Sequence, residues 1–164
     1  MLRGDVEKRA TRNSWFLGSS SFLNDLGGEM IAPILPFYVV AMGGGGIALG
    51  LLSGLRDGLS SIFKIFGGWL SDRIGERRMF VFLGYFLSFI AKFLIAAANS
   101  WQQLLVSVSL ERFGKFRDAP RDAIIAETPK KKGKDFGIVQ MMDVVGGIIG
   151  SLILILLLWK FDLG

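Results

Sequence analysis

Ionisable side chains stand inside stretches that are otherwise apolar. They are Asp25, Glu29, Arg56, Asp57, Lys64, Lys92, Glu111, Arg112, Lys115, Arg117, Asp118, Arg121, Asp122 and Asp143. An ionised group at the centre of a membrane helix costs roughly 2.5–3.5 kcal/mol on insertion scales, so such groups face one another or a wet cavity. The chemistry open to them is reversible binding of protons, cations or a charged small solute. Bond-making chemistry is not indicated. The chain has no Cys and no His, which removes thiol chemistry, disulfides, a His-assisted nucleophile and the usual zinc or haem ligand sets. The run Gly43-Gly44-Gly45-Gly46 lacks the lysine and the strand context of a phosphate-binding loop. The sequence therefore predicts no catalytic residue, no metal site and no cofactor.

Spacing groups these residues. Asp25 and Glu29 are four apart, which puts both carboxylates on one helix face, with Asn24 and the Gly27-Gly28 pair beside them. Two readings stand for this pair: a proton- or cation-binding site lining a cavity, or ion pairs with basic residues of the fourth apolar segment that lock the bundle. Arg56 lies about 15 Å from the start of its segment, too deep to reach water by snorkelling. It needs a carboxylate, with Asp25, Glu29, Glu111 or Asp143 available. Lys64 is near enough to a segment end to snorkel. The fourth segment is the densest, with Glu111, Arg112, Lys115, Arg117, Asp118, Arg121 and Asp122, and Pro120 is expected to interrupt or kink it. Asp143 is followed by Gly146, Gly147, Gly150 and Ser151, a small-residue face suited to tight packing.

The elements that position these groups read as five membrane-spanning helices at about 15–42, 47–70, 79–98, 101–126 and 136–159, an all-α membrane protein. Composition agrees: 51% of residues are hydrophobic and 20% charged, with 22 Gly, 14 Phe and a mean hydropathy of +0.49. The sequence pI near 9.7 does not signal nucleic-acid binding, because the basic residues gather in links between apolar runs. The tail 1–14 holds four Lys/Arg, the link after the second span three and the link 129–135 four, whereas the links around 43–46 and 99–100 hold none. The positive-inside rule then places the N-terminus in the cytoplasm and residues 161–164 outside. Trp15, Trp69, Trp101 and Trp159 all fall at span ends, as an interfacial belt requires.

The link Gly68-Trp69-Leu70-Ser71-Asp72-Arg73-Ile74-Gly75-Glu76-Arg77-Arg78 resembles the signature between the second and third helices of the major facilitator superfamily, with Glu76 where that pattern usually has Arg or Lys. Arg112 and Gly114 lie where the family carries its fourth-helix arginine and following glycine. The run Arg117-Asp118-Ala119-Pro120-Arg121-Asp122 is similar to a form seen in prokaryotic members. Asp143 to Ser151 resembles the fifth-helix Asp-x-x-Gly-x-x-x-Gly-Pro stretch, with Ser151 in place of the proline.

The resemblance implies a multi-pass secondary transporter of the plasma membrane. It would move a small solute by alternating access, with proton coupling as an expectation. Gly68, Asp72, Arg73, Gly75, Arg77 and Arg78 would form a cytoplasmic latch, with Gly75 allowing the tight turn. Arg112 would couple movement to substrate or proton binding. Asp25, Glu29, Arg56, Glu111 and Asp143 are the further cavity and coupling candidates, named from burial and charge. The family has twelve helices in two six-helix halves and this sequence has five. The expected partners are therefore membrane lipid, a small solute, protons, and a C-terminal portion or partner half, with a homo-oligomer as the other route to a closed cavity. A sixth helix is the expected cover for the face of Gly146, Gly150 and Ser151. The competing functional reading is a non-transporting remnant or assembly subunit that packs against a partner half.

Overall fold

A computed structural model describes the backbone of residues 2–127 and 132–161 and the side chains of 14–127 and 133–161. The tail's basic side chains (Arg3, Lys8, Arg9 and Arg12), Lys130 to Lys132 of the basic link, and residues 162–164 lie outside that description. The described chain is all-α, with helices α1 (Leu2–Ile31), α2 (Leu35–Ala41), α3 (Gly46–Ile74), α4 (Arg77–Ala96), α5 (Trp101–Phe113), α6 (Asp118–Ala126) and α7 (Lys132–Lys160), and a 3-10 turn at Gly114–Arg117 between α5 and α6. Among the described residues two helices are long and apolar enough to cross a membrane, Arg77–Ala96 and Gly133–Lys160. Their exposed surfaces are apolar, with Phe82, Phe86, Phe89 and Phe93 on α4 and Val144, Ile148, Leu152 and Ile155 on α7.

The helix boundaries depart from the sequence reading at three places. The first apolar segment is not one helix: α1 gives way to a turn at 32–34, and α2 restarts at Leu35 with Pro36 next in line. Pro33 and Pro36 explain the break, since each removes an N–H and Pro clashes with the preceding turn. The fourth segment breaks at Gly114–Arg117, ahead of Pro120. Pro120 itself sits in the first turn of α6, where a missing N–H is tolerated. Finally, α7 begins at Lys132, so Asp135 belongs to its first turn rather than to a polar link.

The chain divides into two compact units, residues 1–33 with 125–164, and residues 34–124. In the first, α1 and α7 pack along their length. Gly18 lies against the Met142 side chain, Gly146 against the backbone of Phe22 and Gly150 against that of Leu26. Both members of each pair advance by four residues, so the helices run parallel in fixed register. A Cβ at Gly146 or Gly150 would meet carbonyl oxygens of α1. The small-residue face thus packs tightly, and its neighbour is α1 rather than a sixth helix. Gly28, by contrast, has open space where its Cβ would be.

In the second unit α3, α4, α5 and the 3-10 turn pack together. Phe63, Phe113, Phe116 and Phe80 form a chain of edge-to-face rings through it. Ser100 caps α5, accepting from the Gln103 N–H at 3.4 Å. The Tyr38 hydroxyl donates to the Ala98 carbonyl at 3.1 Å, tying α2 to the end of α4.

The register makes a prediction. Gly150→Val drives a branched side chain into a backbone carbonyl and should cost about 1–3 kcal/mol. Gly28→Ala, in open space within a helix, should be neutral or slightly stabilising, by under about 1 kcal/mol. Thermal unfolding of the detergent-solubilised chain distinguishes them, and equal effects would contradict the α1–α7 register.

Candidate functional site

The turn between α3 and α4 is built by one glycine and one ion pair. Gly75 has φ +80°, the left-handed conformation that ends α3, and its N–H donates to the Ser71 carbonyl at 2.9 Å. That reversal brings Arg77 back over Asp72. The Arg77 Nη2 and Nε groups both donate to Asp72 Oδ1, at 2.7 and 3.1 Å. Arg73 lies over the Trp69 ring at 5.5 Å. Asp72, Arg73 and Arg78 are exposed and Arg77 is half-buried. The residues expected to form the latch thus lie on a tight turn, while Ser71 between them is buried and bonded to the Gly68 carbonyl.

Gly67 and Gly68 serve a different end. They let α3 approach the backbone carbonyl of Phe116 and the methyl group of Ala119. The Phe116 carbonyl lies four residues before Pro120, so it is the acceptor that loses its α-helical donor to the proline. This approach seats α6 beside α3, and the Lys64 ammonium meets Asp118 at 3.1 Å. Lys64 therefore does more than snorkel, and its carboxylate partner is Asp118.

Glu111, Arg112, Arg117 and Arg121 of the fourth segment are buried. Glu111 and Arg112 pair at 2.9 Å, with side chains 7% and 10% exposed. Glu111 was an expected partner for Arg56; in the structure its partner is the neighbouring Arg112. Arg117 is 2% exposed, and its Nη1 donates to the Ser88 hydroxyl at 2.7 Å and the Gly114 carbonyl at 2.9 Å. Its guanidinium stands 4.5 Å from the centre of the Tyr85 ring. Arg121 pairs with Asp122 at 3.1 Å, and Pro120 is buried beside them. Arg56 is half-buried on α3.

Asp25, Glu29 and Asp143 belong to the first unit. Asn24 donates to Asp25 Oδ1 at 3.1 Å, and Glu29 lies against Gly147 on the α1–α7 interface. All three carboxylates are half-buried. Asp135 is fully buried, and its oxygens have no hydrogen-bond partner among the described residues. Sequence reasoning missed Ser88, Tyr85 and Asp135. A lone serine among the phenylalanines of α4 was the available signal for Ser88. Nothing in the local sequence pairs it with Arg117, twenty-nine residues on.

Within residues 34–124, helices with apolar outer faces enclose charged pairs, and an exposed charged turn joins two of them. The Major Facilitator Superfamily model matches residues 17–161, and the chain belongs to that superfamily of integral membrane transporters. It is 45% identical over 147 residues to an uncharacterized MFS-type transporter of Methanocaldococcus jannaschii, covering 88% of this chain and 37% of the relative. It is also 31% identical over 163 residues to the multidrug resistance protein MdtH of Proteus mirabilis, covering 96% and 40%. MdtH of Photorhabdus laumondii is 28% identical over 152 residues, covering 90% and 38%. The chain thus spans about two-fifths of the length of these relatives. No solved structure matches it.

The two ion pairs differ in what their loss should cost. Asp72 is 62% exposed, so Asp72→Asn should change stability by under about 1 kcal/mol. Glu111→Leu removes a partner from buried Arg112 and should cost about 3 kcal/mol or more. Tryptophan-monitored unfolding of the solubilised chain reads both. An Asp72→Asn loss as large as that of Glu111→Leu would show that the latch turn carries the fold.

Proposed function

We propose that this chain is the N-terminal part of a secondary transporter that moves a small solute across the plasma membrane by alternating access, with proton coupling. Its helices make five spans, at about 15–42, 47–70, 79–98, 101–126 and 136–159, with the N-terminus cytoplasmic. The observation that carries the reading is the match of residues 17–161 to a transporter superfamily in a chain that buries Glu111 against Arg112. The multidrug-resistance relatives make organic compounds the cargo class to test first.

The cavity and coupling residues in this reading are Asp25, Glu29, Arg56, Glu111, Arg112 and Asp143. Glu111–Arg112, buried and adjacent, is the pair this reading places at the coupling step. Gly68, Asp72, Arg73, Gly75, Arg77 and Arg78 act as the cytoplasmic latch, and Arg117, Asp118, Pro120, Arg121 and Asp122 form the fourth-helix motif that braces it. Transport by two halves requires a cavity between them, so the partner is the region that the relatives possess beyond the matched two-fifths, or a second copy of the chain. The alternative is an assembly subunit that inserts and packs without moving solute.

Topology and flux test this reading. A reporter fused after Asn99 should read external and one fused within 130–134 cytoplasmic; an internal reading at Asn99 would reverse the orientation. Energised vesicles holding the chain with its partner region should take up or expel an organic probe, and Asp25→Asn or Arg112→Leu should abolish the flux. Correct insertion with no flux under any gradient would favour the assembly subunit.

A further inference from the structure

The break between α5 and α6 does not fall at the proline. Gly114–Arg117 winds as a 3-10 turn, with Gly114 at φ −54°, ψ −19°, and the Asp118 N–H donates to the Lys115 carbonyl three residues back. A 3-10 segment turns every 3.0 residues against 3.6 in an α-helix. Four such residues therefore rotate everything after them by roughly 80° relative to a continuous α-helix. Asp118 is the first residue re-aimed in this way.

Arg117 has the contacts to hold the tighter winding. One bond, to the Gly114 carbonyl, closes the turn on its own first residue; the other, to Ser88, fastens the turn to α4. The Tyr85 ring supports the guanidinium from the side. Its stem fits because Gly84 has no side chain: a Cβ there would meet Arg117 and the Gly114 carbonyl. With the turn held, Asp118 reaches Lys64 on α3, and Ala119 comes to lie beside Gly68.

We propose that Arg117 is a positioning residue for the fourth-helix motif. Seated on Ser88 and Tyr85, it keeps Gly114–Arg117 in the 3-10 form and so aims Asp118 and Ala119 at α3. Unseated, the segment loses the 3-10 winding and α6 rotates away from α3. The proposal rests on the geometry of residues 34–124 and is independent of whether the protein transports.

Because the chain contains no Cys, a disulfide can report the aim of α6. The Ala119 methyl lies 3.2 Å from where a Gly68 Cβ would stand, close to the separation a disulfide bridges. In the chain carrying Gly68→Cys and Ala119→Cys, oxidation in membranes should protect both thiols from a maleimide polymer, read as a gel shift. Adding Arg117→Leu, which removes two hydrogen bonds, should lower the cross-linking equilibrium about tenfold; Ser88→Ala, which removes one, should lower it about threefold. Arg117→Lys should fall between the parent and Arg117→Leu. Gel filtration reports folding, and if Arg117→Leu aggregates, Ser88→Ala decides. The proposal is overturned if the parent pair does not cross-link or if monodisperse Arg117→Leu cross-links like the parent. An unchanged result for Ser88→Ala beside an aggregated Arg117→Leu also overturns it.

Discussion

A charge removed from water needs either an opposite charge or a full set of hydrogen bonds, and the second unit is organised by that requirement. Arg117 is enclosed at 2% exposure, with Asp118 3.9 Å away, hydrogen bonds to Ser88 and the Gly114 carbonyl, and the Tyr85 ring against it. Between them these contacts constrain three elements: the turn itself, α4, and the start of α6. Glu111 and Arg112 meet the requirement within one helix turn, and Lys64 with Asp118 meets it between two helices. Replacing one member of a buried pair strands the other, which is why such pairs hold a particular arrangement more firmly than their net contribution to stability suggests.

Glycine makes these pairings sterically possible. In an apolar solvent, helices gain little from excluding lipid and associate through close van der Waals contact, which favours small residues at crossings. Within residues 34–124, Gly84 and Gly114 let α4 and the 3-10 turn touch backbone to backbone, and Gly67 does the same for α3. Within the other unit, Gly146 and Gly150 bring α7 onto the backbone of α1. Tightness at Gly84 and Gly114 has a further consequence, because a bulky neighbour there would displace the Arg117 stem from Ser88.

The superfamily's charged turn shows the opposite economy. Asp72 and Arg77 are joined by two hydrogen bonds, yet Asp72 remains 62% exposed, so their attraction adds little to stability. Gly75 fixes the reversal and Ser71 is bonded inward. The charges on such a turn are available for contacts outside the described residues. This suits the latch role proposed for them, in which they must engage and release.

Much of this was legible in the sequence. The all-α class followed from long apolar runs separated by short links, and the superfamily from Gly68 to Arg78 together with the motifs around Arg112, Arg117 and Asp143. The turn at Gly75 was readable because only glycine adopts φ +80° without strain, and the tight face of α7 because small residues recur at helical spacing. What only the tertiary structure decided was the pairing. Charge and depth left Arg56 with several possible carboxylates and Lys64 with a route to water by snorkelling, and the choice of Asp118 for Lys64 depends on a helix rotation that no local pattern encodes. The break at Gly114 to Arg117 was hidden by Pro120, the stronger local signal, because a proline in a first turn disturbs little. A 3-10 winding, by contrast, is held by contacts from Ser88 and Tyr85 on another helix. Sequence spacing fixes which residues share a face; long-range packing fixes where that face points.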